Sequence, residues 1–187
     1  MLQKALIDPV DIISNYYDPG SKLFHILMQH NEHVLQKALD AASKVPHLEP
    51  DLIFIKEAAL LHDIGIFKTD APNLGCFGKH PYILHGDLGR MILEDIGLLP
   101  HALVCDRHMG VGMSKEEIAK NGLPLPARDM IPLSIEEQII SYADKFFTKN
   151  WEHIVIKNSV DKIINQLESY GGTGYSDKFK LWLEIFG

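Results

Sequence analysis

An adjacent histidine and aspartate, His62 and Asp63, are the residues of this sequence best placed to do chemistry. Four apolar residues, Ala58 to Leu61, precede the pair, and Gly65 follows it. The pair is therefore predicted to lie near the core, at the end of a helix. Burying a charged carboxylate is costly unless it is paired or bound to a metal ion. The pattern leaves two explanations open: a metal site, or a helix end where Asp63 accepts a local hydrogen bond and His62 is a core histidine.

Further imidazole and carboxylate groups occur at helical positions elsewhere. His30 continues the apolar stripe of a long predicted helix, whereas His33 lies off that stripe. Asp144 points in the direction of the apolar side chains of its own predicted helix. Each also has a structural explanation, since a lone histidine on an apolar face is usually a core residue and Asp144 could cap a neighbouring helix.

Together these groups predict a metal site. Imidazole and carboxylate ligands suit Zn, Mn, Fe, Co or Ni, and ligand type alone does not choose among them. Six ligands suggest two ions, about 3.5–4 Å apart, which lower the pKa of a bridging water. Asp63 could bridge the two ions. The predicted ligands are His30, His62 and Asp144 on one side of Asp63, and His85 and His108 on the other.

The donors occur in the order of a known motif. A histidine, an adjacent His-Asp pair and a distant aspartate resemble the H…HD…D signature of the HD-domain superfamily of metal-dependent phosphohydrolases. The matching residues are His30, His62, Asp63 and Asp144. The run Leu61–Gly65 is of the HDIG type, and His85 and His108 resemble the extra histidines of two-metal members.

The resemblance covers roughly residues 21–149 and implies an all-helical fold, one or two divalent transition metal ions, and hydrolysis of a phosphate ester through a metal-bound hydroxide. His30, followed by Val34 and Ala38, fits the family pattern H-x-x-x-V-x-x-x-A, with His33 as the alternative first ligand. Many members that cleave cyclic dinucleotides carry lysine where this chain has Ile66, and their G-Y-P tripeptide is absent. Cyclic dinucleotides are therefore not the expected substrate.

Basic residues near the predicted ligands are candidates for phosphate contact. Arg107 and Lys145 each sit beside a predicted ligand, and a guanidinium suits bidentate phosphate binding. Lys68 could reach the phosphate from a loop, although a loop lysine is more often simply solvated. Arg128 is a further candidate. We predict Lys68, Arg107 and Lys145 as the substrate-binding residues.

The formal net charge of −7 argues against a broad surface for nucleic acid polymers or anionic membranes. The expected substrate is therefore a small phosphomonoester or nucleotide. Two other functions fit the same ligands: a di-iron oxygenase of the HD type, and a metal-stabilised regulatory or ligand-binding module without catalysis. Substrate identity and oligomeric state are not predicted by the sequence.

The chain of 187 residues is expected to form one all-α HD domain, a helical bundle with residues 151–187 packed on the signature region. No signal-peptide pattern opens the sequence, and no apolar run approaches membrane-spanning length. Cys76 and Cys105 form no C-x-x-C and are predicted to be buried thiols. A cytoplasmic location is therefore expected.

Caps, prolines and glycines set the expected helix boundaries. Helices are predicted to begin near Pro9, Ser21, Pro50, Pro81, Pro100, Ser114, Ser134, Ser159 and Ser176. The helix of Asp144 is expected to continue through Phe147. Residues 67–79 and 123–132 are expected to be loops, residues 171–174 a linker, and no series of strands is predicted. The remaining histidines and the tryptophans are expected to have packing or surface roles, with His80 the least certain: His25, His47, His80, His101, His153, Trp151 and Trp182.

Overall fold

The computed structural model describes residues 7–150 and 154–187 of the chain. Trp151 and His153 lie outside these described residues. Helices dominate the described part of the chain: α1 (Pro9–Ser14), α2 (Lys22–Lys44), α3 (Leu52–Leu61), α4 (His85–Asp95), α5 (Leu99–Arg107), α6 (Lys115–Lys120), α7 (Ile135–Asp144), α8 (Val160–Gly171) and α9 (Thr173–Phe186). None of these helices combines the length and the apolar character needed to cross a bilayer.

Most of the predicted helix starts are confirmed. At several of them a side-chain oxygen caps free backbone N–H groups. The Ser21 hydroxyl accepts a hydrogen bond from the Phe24 N–H at the start of α2. Ser114 and Glu117 form a complete capping box at α6. At α3 the cap is Asp51, one residue later than the predicted proline start. Ser134 caps α7, but the carboxylate of Glu137 is used elsewhere.

The expectation of an all-α fold is only partly right, because two small sheets accompany the helices. The predicted loop of residues 67–79 contains β1 (Thr69–Ala71) and β2 (Cys76–Phe77), and β3 (His80–Pro81) follows it directly. In this sheet β1 lies in the middle, antiparallel to β2 and parallel to β3. Strands β4 (Phe147–Asn150) and β5 (Ile154–Lys157) pair in an antiparallel arrangement.

Several predicted boundaries were wrong. Helix α4 begins at His85, after a single 3-10 turn, and not near Pro81, and α9 begins at Thr173, three residues before Ser176. Helix α7 ends at Asp144, and Phe147 begins β4 instead of extending the helix. Aromatic and β-branched residues such as Phe147 and Thr148 favour an extended backbone, and this preference prevails here. Residues 171–174 are not a linker, since only Gly172 separates α8 from α9. Its φ of +71° lets the chain turn where other residues would be strained.

The predicted metal ligands lie between two apolar clusters. One cluster contains Val34 with residues of α3, α7, α8 and α9, including the predicted packing residue Trp182. The other contains Leu27 with residues of α1, α3, α4 and α5, together with the buried free thiols of Cys76 and Cys105. Helix α2 runs along both clusters, and His30 lies between Leu27 and Val34.

Candidate metal centre

Four of the predicted ligands come together from α2, the turn that follows α3, and the end of α7, and they form the four-residue group: His30, His62, Asp63 and Asp144. Their donor atoms all lie within 4.8 Å of one another. His30 Nε2 is 3.3 Å from Asp63 Oδ2 and 3.1 Å from Asp144 Oδ1. His62 Nε2 is 3.2 Å and 3.6 Å from the same two oxygens. Two imidazoles and two carboxylates therefore converge on one point.

The other two predicted ligands share Asp63 and form the three-residue group: Asp63, His85 and His108. Asp63 Oδ1 is 3.3 Å from His85 Nε2 and 3.6 Å from His108 Nε2, and these two nitrogens are 3.1 Å apart. The two oxygens of Asp63 thus face different groups. This is the arrangement that a bridging carboxylate requires.

Three histidines are oriented by the same local contact. The Nδ1 atoms of His62, His85 and His108 each donate to the backbone carbonyl three residues earlier, at 2.7–2.8 Å. A carbonyl can only accept, so the Nδ1 atom carries the proton and Nε2 of the neutral ring is a lone-pair donor. Hydrogen bonds of this kind fix the tautomer and the ring orientation of metal-binding histidines.

Glycines allow the His62–Asp63 turn to pack directly on the helix that carries His85. A Cβ atom on Gly65 would lie 2.2 Å from the His85 carbonyl oxygen and 2.4 Å from the Gly89 nitrogen. Real Cβ atoms do not approach backbone atoms so closely. The glycine of the HDIG run therefore sets the distance between the two parts of the site.

Burial and neighbouring charges both shift the pKa values of the buried histidines. Burial, assisted by the positive charge of Lys149, lowers the pKa of His30 to about 4. Burial also lowers the pKa of His85 to about 3. Burial would lower the pKa of His62 as well, but the carboxylates of Asp63 and Asp144 raise it to about 9. His30 and His85 are therefore neutral at pH 7 and able to donate lone pairs.

The donor set fits a divalent transition metal ion. His62 Nε2 and Asp63 Oδ1 are buried and have no hydrogen bond of good geometry to any described residue. Buried polar atoms without partners carry a free-energy penalty, and a metal ion at the centre of these donors would remove it. Two imidazoles with carboxylate oxygens suit Zn, Mn, Fe, Co or Ni, and the arrangement does not select one of them.

His30, and not His33, belongs to the four-residue group. His30 is fully buried on α2, whereas His33 is exposed and its Nδ1 contacts the carbonyl of Gln29 at 2.6 Å. His101 is buried, with its Nε2 3.1 Å from a carboxylate oxygen of Glu57. The three other described histidines are exposed: His25, His47 and His80.

A cavity of about 800 Å³ adjoins the metal centre. His85, His108 and Asp144 are among the residues that line it. Two ammonium groups, those of Lys145 and Lys149, belong to the same wall. Lys145 Nζ lies 2.8 Å from Asp144 Oδ2 and 3.3 Å from the His108 carbonyl oxygen. The cavity thus places cationic groups beside the converging donors.

The other basic residues that were predicted to contact phosphate are not among the described residues that line the cavity. Arg107 Nη1 donates to both carboxylate oxygens of Glu137, at 2.9 Å and 3.1 Å. Arg128 donates to Asp106 and Asp87. The Lys68 ammonium lies 5.9 Å from the centroid of the Phe67 ring. Neither Lys68 nor Arg107 nor Arg128 is among the described residues that line the cavity.

Removal of the Arg107 guanidinium is expected to affect stability more than substrate binding. In Arg107→Met the largely buried Glu137 carboxylate loses its cationic partner. The free energy of unfolding should fall by about 2–3 kcal/mol, since a buried charge without its partner is costly. Denaturant unfolding measures this loss, and Lys115→Met, at an exposed position of α6, serves as the control. An unchanged unfolding energy would show that the ion pair contributes little.

Lys149 is the residue of the site that the sequence pattern did not reveal. Its Nζ lies 2.5 Å from Asp63 Oδ2 and 3.1 Å from His30 Nε2. Lys149 is part of β4, which the helical pattern around Asp144 did not predict. A lysine five residues after Asp144 carries no motif that would have marked it.

Comparisons with known proteins agree with this geometry. A protein-family model described as HD domain matches residues 27–148. An uncharacterised protein of Methanocaldococcus jannaschii is 32% identical over 148 residues, which cover 78% of this chain and 75% of that protein. No solved structure matches the chain significantly.

Two further relatives are longer proteins. The tRNA (cytidine(56)-2'-O)-methyltransferase of Picrophilus torridus is 31% identical over 142 residues, which are 75% of this chain and 37% of that protein. The protein of the same name from Thermoplasma volcanium is 30% identical over 122 residues, 65% of this chain and 31% of that protein. The match therefore spans about a third of the length of these two relatives.

Proposed function

The chain belongs to the HD-domain family, and from that premise we propose that it is a metal-dependent phosphohydrolase acting on a small phosphomonoester or nucleotide. The observation that carries the proposal is the convergence of six histidine and aspartate side chains, three of which line a cavity. A divalent ion bound there would neutralise charge on phosphoryl oxygens and lower the pKa of a water molecule.

Each residue of the site has a role in this proposal. Asp63 would take part in holding both ions because it belongs to both groups of ligands, and the histidines would supply imidazole nitrogens. Lys145 lies at the cavity wall beside His108 and is placed to bind and orient a phosphoryl oxygen. A point charge on a flexible stem can adapt to a tetrahedral phosphate as charge shifts during the reaction. The largely buried position of the donors limits the access of bulk water.

The size and charge of the molecule support a small substrate. A cavity of about 800 Å³ lies within the range of small-molecule sites. The net charge of −7 opposes binding of a long polyanion. Two relatives bear the name of an enzyme that acts on a tRNA cytidine, so cytidine nucleotides belong in the first group of compounds tested.

Phosphate release tests the proposal. Protein loaded in turn with Mn, Fe, Co, Ni and Zn is incubated with phosphomonoesters and nucleotides, and inorganic phosphate is measured. We expect release with at least one pairing of metal and substrate, and its loss when a chelator removes the ion. Absence of release from every compound would contradict the proposal. If the iron-loaded protein consumed oxygen and released no phosphate, the result would indicate oxidative chemistry.

Lys145→Met tests the assigned substrate contact. We expect the KM for the best substrate to rise by about tenfold, since a charge-assisted hydrogen bond to phosphate contributes roughly 1.5–3 kcal/mol. The metal content should stay close to that of the wild-type protein, because Lys145 contacts Asp144 Oδ2 and the His108 backbone carbonyl, and neither is among the converging donor atoms. An unchanged KM would remove Lys145 from the binding site.

A further inference from the structure

The side chain of Lys149 enters the four-residue group from outside the signature motif. Lys149 lies on β4, where it pairs with Val155 of β5. Its Nζ contacts Asp63 Oδ2 at 2.5 Å and His30 Nε2 at 3.1 Å, and only about a tenth of the side chain is exposed. A positive charge therefore stands among donor atoms that also suit a metal ion.

Electrostatics explain why the lysine lies there. The Asp63 carboxylate is fully buried, and a buried carboxylate without a cation is strongly destabilising. The Lys149 ammonium lies 2.5 Å from Asp63 Oδ2 and is itself almost entirely buried. The contact therefore pairs two buried groups of opposite charge.

A metal ion would need the same atoms. Ions in sites of this kind lie about 2.0–2.2 Å from nitrogen and oxygen donors. An ion bound by His30 Nε2 and Asp63 Oδ2 would crowd an ammonium that already lies within 3.1 Å of both atoms. Two positive charges at such a separation repel strongly in a buried site. Lys149 must therefore move before this position can fill.

The three-residue group does not face this competition. His85 and His108 approach Asp63 through Oδ1, whereas Lys149 contacts Oδ2. Asp63 Oδ1 has no hydrogen bond of good geometry to any residue in the described ranges. Any effect of Lys149 on metal uptake should therefore be concentrated on the four-residue group.

We infer that Lys149 is an internal cation that competes with a divalent metal ion for the four-residue group. It neutralises Asp63 while the metal is absent and must be displaced when the ion enters. The inference rests on the metal-binding part of the proposed function and is independent of the reaction catalysed. It predicts that one side chain stabilises the metal-free protein and at the same time weakens metal binding.

The Lys149→Met variant measures separately the effect of Lys149 on the stability of the metal-free protein and its effect on metal binding. Metal-free protein is titrated with Mn²⁺ alone by calorimetry, and its melting temperature is measured without metal. We expect the Kd of the four-residue group to fall by at least about tenfold, because a competing charge is removed. The metal-free melting temperature should fall by roughly 10 °C, because Asp63 loses its cation.

Two matched variants control the experiment. Lys149→Arg keeps the charge and should keep the Mn²⁺ affinity near that of the wild-type protein. Lys162→Met removes an ammonium that contacts Asn158 Oδ1 at 2.8 Å, outside the metal ligands, and should change neither affinity nor melting temperature by a comparable amount. A Lys149→Met protein with lower stability but unchanged or weaker Mn²⁺ binding would overturn the inference.

A measurement on the wild-type chain does not depend on the folding of the variant. Reductive methylation followed by mass spectrometry reports the accessibility of each lysine. We expect Mn²⁺ to increase labelling of Lys149 at least about threefold relative to Lys162, because the displaced ammonium leaves its buried contacts. Unchanged labelling in a protein that binds Mn²⁺ would overturn the inference and leave the proposed function standing. Absence of binding of Mn, Fe, Co, Ni and Zn ions alike, in the wild-type protein and in every variant, would overturn both.

Discussion

Replacement of Asp63 by asparagine is expected to remove metal binding and phosphate release together. The substitution keeps the volume of the side chain but removes the one carboxylate that belongs to both groups of ligands. An amide cannot supply the negative charge that would hold the ions and that, without them, pairs with Lys149. The kcat/KM for the best substrate should fall by at least about 10³-fold, the range expected when electrostatic stabilisation is lost.

Elemental analysis after dialysis measures the metal content of the Asp63→Asn protein. Asp70→Asn is the matched control, since Asp70 is an exposed carboxylate that lines the same cavity without belonging to either group. This variant should retain the metal content of the wild-type protein. An Asp63→Asn protein that retains a full complement of metal would show that Asp63 is not the shared ligand.

Addition of a single methyl group at Gly65 is expected to damage both stability and the three-residue group. A Cβ atom there would collide with the backbone at His85 and Gly89, which cannot rotate away as a side chain could. Gly65→Ala should therefore lower the free energy of unfolding by about 2–3 kcal/mol, the cost of overpacking a closely packed contact. Displacement of α4 would also carry His85 away from Asp63.

Thermal unfolding and Mn²⁺ binding together measure the effect of Gly65→Ala. Gly174→Ala is the matched control because a Cβ atom at Gly174, in the first turn of α9, meets no other atom within 4 Å. That substitution should be neutral or stabilising by up to about 1 kcal/mol. Equal melting temperatures for the two variants would contradict the close approach of α4 to the His62–Asp63 turn.

Local signals explain why much of the fold could be predicted. A cap such as Ser21 acts within three residues of itself, so its effect can be read from a short stretch of sequence. The position of His30 within an apolar stripe likewise predicted its burial, and the off-stripe position of His33 predicted exposure. The six predicted ligands converge because each is placed on the interior side of its own segment.

Features that depend on distant partners could not be predicted in this way. Arg107 is adjacent to His108 in sequence, but its guanidinium is held by Glu137, thirty residues further along. After Asp144, aromatic and β-branched residues favour a strand whereas the helical periodicity favours a longer helix. Only packing against the rest of the chain determines that β4 forms there. Lys149 reaches Asp63 through this strand, so its contact is a consequence of a tertiary arrangement.

Anomalous diffraction at the Mn absorption edge, from crystals grown with excess Mn²⁺, tests the central claim most directly. We predict one peak within about 2.5 Å of donor atoms of His30, His62, Asp63 and Asp144, and a second beside His85 and His108. Both peaks should share Asp63 as a ligand. Crystals grown with Fe, Co, Ni or Zn and measured at the edge of that metal extend the test. The absence of a peak at these side chains with every one of the five metals at saturation would contradict the metal centre and the function proposed from it.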